Sequence, residues 1–241
     1  DVIVLSSGTF NHTDAITKSI TIYGAGYETD PISEAEPTSI PFIYIADKEA
    51  YDAEGNLYYV YPTVHIEGIK LTNEENTTYN LAFYAKPSQG DAILRNLVVR
   101  KCKIRGNIAL NPPTENCLFS QCVIGVIGHY VEYSGSGSYG FAFGLLGLHS
   151  QFNVENCWIY KASGSTLQST INYDHCIITD VYGGYANYTN SIIYHTLSEN
   201  NTANFNIFSG EIGTNVTGVG NWTNVSDASI WAEEGATGKT Y

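Results

Sequence analysis

One arrangement of apolar and polar positions returns along the middle of the chain: Val99-Arg100-Lys101-Cys102-Lys103-Ile104, Phe119-Ser120-Gln121-Cys122-Val123-Ile124, Val154-Glu155-Asn156-Cys157-Trp158-Ile159, Tyr173-Asp174-His175-Cys176-Ile177-Ile178 and Tyr188-Thr189-Asn190-Ser191-Ile192-Ile193. Each copy reads apolar, two polar, Cys or Ser, a variable residue, Ile. Strand side chains alternate between two faces, so the Cys or Ser and the Ile two places on share a face. Small Cys and branched Ile suit a packed interior. A short strand recurring in this way predicts a solenoid, in which each unit buries its apolar face only by stacking on its neighbours. Stacking sets Cys102, Cys122, Cys157 and Cys176 in one column, about 4.8 Å apart per layer. Glu115-Asn116-Cys117-Leu118-Phe119 mimics the copy around Cys157 and leaves Cys117 as an alternative to Cys122. The apolar residue three places earlier favours Cys122.

The same pattern organises the rest of the chain. Asp1 to Leu5 and Ile16 to Ile22 are strand-like runs joined by turn residues. Residues 27–62 interrupt the rhythm, and the runs Phe42 to Ile45 and Leu57 to Tyr61, separated by Asp52, Glu54, Gly55 and Asn56, read as a protruding hairpin. Val64 to Leu71 resumes the strands with Gly68 in the place taken elsewhere by Cys. A second insertion covers 72–90 and a third, rich in glycine and aromatics, covers 125–151. Asn206 continues the series fifteen residues after Ser191. From Gly210 the periodicity fades, so 210–241 is expected to be irregular. The whole chain, 1–241, reads as one all-β domain with strands dominant and helix under about a tenth.

The repeats, together with the opening Asp1-Val-Ile-Val-Leu-Ser-Ser-Gly-Thr-Phe10 and Ile16-Thr-Lys-Ser-Ile-Thr-Ile-Tyr-Gly-Ala-Gly26, resemble the right-handed parallel β-helix proteins of the pectin-lyase-like superfamily. The resemblance covers nearly the whole chain and rests on structural motifs. It implies a right-handed parallel β-helix with insertions at 27–62, 72–90 and 125–151, a cap preceding Asp1, and a secreted or cell-surface location in a bacterium. It also implies a connection to glycans, since the superfamily includes pectate lyases, polygalacturonases, pectin methylesterases, phage tailspikes and surface proteins.

Charge narrows the partners. The net charge is −13 with only 11 Lys and Arg, which argues against a nucleic acid, because that binding depends on cations displacing counterions. No apolar run approaches the roughly 20 residues that span a bilayer. Five cysteines lack any Cys-x-x-Cys or Cys/His finger spacing, so neither a zinc site nor any other cofactor is expected. Seven Asn-x-Ser/Thr sequons occur, and a chain rich in Asn and Thr turns produces them by chance.

Catalytic machinery of the resembled enzymes is not legible. The lyases need clustered carboxylates for calcium and a basic residue, whereas the repeat units offer scattered acids. Gly128-His129 is followed by Tyr130, and Lys103-Ile104-Arg105 reverses the polygalacturonase order. The esterase motif is absent, and the histidines are dispersed. The outward positions are more informative. Lys103, Val123, Trp158, Ile177 and Ile192 follow the column residues, and Arg105, Gly125, Tyr160, Thr179 and Tyr194 lie two places further on. Lys101, Gln121, Asn156, His175 and Asn190 precede the column residues. The first of these rows is unusually apolar for a solvent face. The insertion at 125–151, with Tyr130, Tyr133, Tyr139, Phe141 and Phe143, is expected to fold over it. Lys101, Lys103, Arg105, Trp158, Tyr160, His175 and Tyr194 are the candidate carbohydrate-binding residues. A glycan-binding or surface-display protein without catalytic machinery is the leading expectation. The alternatives are a polysaccharide lyase or glycoside hydrolase, and a structural or adhesive stalk.

Overall fold

The computed structural model describes residues 1–12, 14–29, 32, 34–72, 79–84, 93–109, 114–128, 151–163, 170–182, 185–194, 197 and 201–226. Among the described residues there is no helix, and thus none long and apolar enough to cross a membrane.

The strands form two parallel sheets in which successive copies of the pattern are neighbours. In the first sheet the order is Val2–Val4, Ile20–Tyr23, Val64–Glu67, Val98–Arg100, Cys117–Ser120, Gln151–Glu155, Thr170–Asp174, Asn187–Thr189 and Thr202–Asn204. In the second the main path is Gly8–Thr9, Thr38–Ile40, Lys70–Leu71, Lys103–Ala109, Val123–Gly128, Trp158–Ser163, Ile177–Tyr182, Ile192–Ile193 and Ile207–Phe208. Both run in sequence order, as a solenoid-like repeat requires. Beyond Phe208 the strands give way to isolated parallel bridges, Leu197 to Ile212, Thr202 to Thr217 and Ile207 to Trp222. The fifteen-residue step seen from Ser191 to Asn206 thus extends to Asn221.

The core is built from the alternate positions that the sequence pattern marks as apolar. Ile22, Ile66, Val99, Phe119, Val154, Tyr173, Tyr188 and Ala203 form the inward ladder of the first sheet. Leu71, Ile104, Ile124, Ile159, Ile178, Ile193 and Phe208 form that of the second. The two largest side chains, Tyr173 and Tyr188, stack nearly parallel with ring centroids 5.2 Å apart.

The chain passes from one sheet to the other through a single residue in the left-handed region. Lys101, Gln121, Asn156, His175, Asn190 and Phe205 all have φ between 48° and 56°, and Gly68 and Gly220 adopt 71° and 73°. Asn and Gly tolerate this conformation best. The residue that follows turns inward and forms the column of Cys102, Cys122, Cys157, Cys176, Ser191 and Asn206, all buried. Each thiol or hydroxyl donates to the carbonyl two residues before it, from 2.8 Å for Ser191 to 3.4 Å for Cys176. Cys122 is therefore the column member. In the layer before Cys102 the column place belongs to buried Ile69, not to Gly68, which takes the left-handed corner position in register with Lys101. Cys117 lies at a second corner, in line with Leu97, behind Asn116 in the same left-handed conformation (φ 53°). All five cysteines are free and buried.

The insertions read from the sequence need correction. The hairpin pairs Lys48–Tyr51, not Phe42 to Ile45, with Leu57–Val60. Its turn is tied by the Asp52 carboxylate, which accepts from the Glu54 and Asn56 amides at 3.0 and 2.7 Å. Ile43–Ala46 instead joins Tyr79–Tyr84, and that strand, inside the second interruption, continues the second sheet along Lys103–Ala109. A hairpin arm and a sheet strand share one alternating period, so the apolar run from Phe42 to Ile45 fits either until its partner is known. Residues 129–150, most of the third insertion, lie outside the described residues, as do 227–241.

Candidate functional site

The pattern that fills the core also fixes what faces outward. On the second sheet, backbone partners connect Lys70, Lys103, Val123, Trp158, Ile177, Ile192, Ile207 and Trp222 in one ladder. Each except Trp222 is half-buried, because its neighbours above and below cover its flanks. Trp222 at the end of the row is 68% exposed. The ladder is bordered on the corner side by exposed Lys101, Gln121, Asn156, His175 and Asn190. On the other side stand Arg105, Tyr160, Thr179 and Tyr194, with Tyr160 56% exposed. Lys161 Nζ lies 5.6 Å from the Tyr160 ring centroid, a cation over an aromatic face.

The structure thus places all seven candidate residues on one side of the stack, in three adjacent rows. Trp158 and Lys103 share the central row. Lys101 and His175 are on the corner, and Tyr160 and Tyr194 are on the far row. Arg105 is exposed at a bulge where the pairing with Val123–Gly128 shifts register after Ile104. Whether the 125–151 segment covers Trp158 falls outside the described residues.

At the head of this face the loop from Gly24 to Thr29 leans over the corner and encloses an open cleft of about 760 Å³, lined by Tyr23, Tyr27, Glu28, Glu67, Lys101 and Gln121 among others. Two close backbone approaches shape it. A Cβ on Gly24 would collide with the Gly68 carbonyl oxygen, and one on Gly68 would sit 2.8 Å from the Gly24 carbonyl oxygen. The cleft mixes polar and apolar surface and carries charge pairs. Lys101 Nζ is 3.1 Å from Glu67 Oε1, and Lys103 Nζ is 3.5 Å from Glu28 Oε1. His65 Nε2 is 3.4 Å from Glu67 Oε2, and the His65 ring meets Tyr23 edge-on at 5.7 Å. Partial burial and the neighbouring Glu28 charge raise the Tyr27 hydroxyl above its ordinary pKa. Among the described residues no group of three or more His, Cys, Asp or Glu is placed to hold a metal ion.

No protein-family model, no curated protein and no solved structure matches this chain.

Sequence reasoning found the rows but missed Glu28, Glu67 and His65. Glu67 and His65 sit on the outward positions of Val64–Glu67, a strand read only for its fold, and Glu28 sits in an interruption. The alternation His65-Ile66-Glu67 ahead of Gly68, in the place of Lys101, carries the signal. It puts a carboxylate on the first sheet beside the basic corner. The sequons at Asn187 and Asn221 have a structural use: Asn187 Nδ2 donates to Asn172 Oδ1 at 2.8 Å, and Asn221 Nδ2 to the Ala203 carbonyl at 2.7 Å.

Proposed function

We propose that the two sheets are walls of a right-handed parallel β-helix of the pectin-lyase-like kind, exported to the cell surface or beyond, and that the outer face of the second sheet binds an oligo- or polysaccharide. The observation that carries this reading is the ladder from Lys103 through Trp158 to Trp222, half-exposed and bordered on both sides by polar and aromatic side chains. Trp and Tyr rings pack on the C–H faces of sugars while their polar edges stay wet. Trp158 and Trp222 are four layers apart, about 19 Å at the strand spacing, which suits an extended chain of several sugar units. The net charge of −13 disfavours a polyanion along the whole surface.

A glycan-array screen followed by calorimetry tests the proposal. The wild type should retain at least one oligosaccharide, and Trp158→Ala with Tyr160→Ala should weaken it by about tenfold or more, equivalent to about 1.4 kcal/mol. Retention of no glycan, or a variant that binds as the wild type does, would refute it.

One observation favours a second reading, that of a polysaccharide-cleaving enzyme. The cleft holds two carboxylates, Glu28 and Glu67, beside two lysines, and glycoside hydrolysis uses a carboxyl pair. Lyase and reducing-end assays on the retained glycan separate the readings: product formed by the wild type and lost in Glu67→Gln makes the cleft catalytic.

A further inference from the structure

We propose that Lys70 and Lys103 form an anion-binding site at the head of the glycan face, and that Glu28 is its built-in occupant, displaced by a carboxylate or sulfate group of the ligand. The choice of a charged sugar as ligand rests on the carbohydrate reading above.

Lys70 and Lys103 are backbone register partners on neighbouring strands and point outward in the same row. Like charges placed directly opposite each other are unfavourable unless an anion lies between them. One carboxylate stands against two lysines and reaches only one of them: Glu28 Oε1 is 3.5 Å from Lys103 Nζ, and among the described residues Lys70 makes no ion pair. The site therefore carries an excess of positive charge in a chain whose overall charge is −13.

Burial is unequal across the pair. The Lys103 side chain is 26% exposed, and that of Glu28 is 65% exposed. The lysine is set into the face, and the glutamate is brought to it by the loop. That loop is tied at its base, where the Gly24 and Gly26 amides donate to the Glu67 and Gly68 carbonyls at 2.8 and 3.0 Å. Gly26 has a φ of 137°, which L side chains rarely adopt, so the loop bends there by design of its sequence. Glu28 lies two residues beyond these ties. Moving its carboxylate aside breaks neither bond, and an incoming anion replaces it like for like on Lys103 while also meeting Lys70. The same motion widens the cleft between Tyr27 and Lys101. Beyond Lys103 the row turns apolar at Val123 and Trp158, so a sugar anchored by its anion would lay its remaining units on the ladder.

The test is calorimetry with three oligosaccharides of one length and backbone, uncharged, carboxylated and sulfated, against wild type, Glu28→Gln and Lys70→Gln/Lys103→Gln. Glu28→Gln should tighten one charged oligosaccharide by about five- to tenfold, and leave the uncharged one within about twofold. The double lysine variant should lose the preference for charge. Which anion gains identifies the group. Unfolding midpoints check that the exposed Glu28→Gln change leaves the fold intact. If the uncharged oligosaccharide binds and Glu28→Gln changes no affinity, the anion site is wrong while the carbohydrate reading stands. If no oligosaccharide binds any variant, both fall.

Discussion

The backbone N–H of Cys122 donates to the Sγ of Cys157, one layer further along the stack, at 3.3 Å. The relation repeats with changing chemistry. The Cys176 amide donates to Ser191 Oγ at 3.0 Å, the Ser191 amide to Asn206 Oδ1 at 2.9 Å, and the Asn206 amide to Asn221 Oδ1 at 3.1 Å. Thiol, hydroxyl and carboxamide occupy equivalent places because each supplies an acceptor to the layer before it and a donor to a nearby carbonyl. The column is a hydrogen-bonded seam at the corner between the sheets, where the left-handed residue would otherwise leave an inner amide unpaired.

Removing one member tests the seam. Asn206 also donates from Nδ2 to the Tyr188 carbonyl at 2.9 Å, so Asn206→Ala leaves a buried amide and a buried carbonyl without these partners. The expected cost is about 2–4 kcal/mol, read by urea unfolding. Cys157→Ser keeps an acceptor, as Ser191 does naturally, and should cost about 1 kcal/mol. Equal costs for the two variants would show that the column acts by packing alone.

Tyr188 offers the opposite case. Its ring stacks on Tyr173, yet its hydroxyl is buried with no hydrogen-bond partner among the described residues. Tyr188→Phe keeps the stack and removes the orphaned group, so stability should rise by up to about 1 kcal/mol. A loss of more than about 1 kcal/mol in thermal or urea unfolding would mean that the hydroxyl is satisfied.

The stack was legible because its rule is local and repeated. The series Val99, Phe119, Val154, Tyr173 and Tyr188, with Cys or Ser three residues on, gives strand, corner and face together. The share of the fold held by Ile43–Ala46 and Tyr79–Tyr84 was not legible, since each occurs once and finds its partner only across an interruption. The continuation to Asn221 was hidden because its copy has Gly218 and Thr223 where the others carry apolar residues, so that only the hydrogen-bonding role of the column persists there. The site divides in the same way. Trp158, Tyr160 and His175 follow from the repeat, whereas Glu28 reaches Lys103 through a loop fold that no period encodes.

Burial predicts silent thiols. All five are buried, and burial pushes Cys117 up to about 11 and Cys176 up to about 12. The reactive species is the thiolate. The neighbouring Cys102 and Cys157 thiols favour that form at Cys122 and hold it below the ordinary thiol range, but Cys122 is buried like the rest, so lack of access should keep native protein slow to react with a thiol reagent at pH 8. Denaturant without reductant should release all five. Recovery of three or fewer would indicate disulfides and contradict the column.

The same shifts make stability fall in alkali. In the unfolded chain these thiols ionise near 9.0, and in the folded chain only at about 11 for Cys117 and about 12 for Cys176. A raised folded pKa gives stability that is fully present below the unfolded value and is lost as pH climbs towards the folded one. Above about pH 9 unfolding free energy should therefore drop by about 1.4 kcal/mol per pH unit for each of these two thiols. The Cys117 contribution ends near 11 and the Cys176 contribution near 12. Tyr61 and Tyr188, whose hydroxyls burial also raises, add to the decline above their ordinary 10.0. Cys176→Ser should flatten the slope by one thiol's share. An unchanged slope in that variant would remove Cys176 from the account.

Trp158 and Trp222 share one ladder but differ in what they support, and this separates a binding strip from a merely structural one. Trp158 is flanked by Val123 and Ile177 and is half-buried. Trp158→Ala opens the ladder and should cost about 1–3 kcal/mol of stability as well as ligand affinity. Trp222 is 68% exposed at the last bridge, so Trp222→Ala should change stability by less than about 0.5 kcal/mol. If a saccharide chain lies along the ladder, Trp222 still contributes to binding, but only for chains long enough to span the four layers from Trp158, about 19 Å. Trp222→Ala should then weaken a long oligosaccharide several-fold and leave a disaccharide unaffected, while Trp158→Ala weakens both. An equal effect of Trp222→Ala on short and long ligands would place the saccharide across the strands, not along the stack.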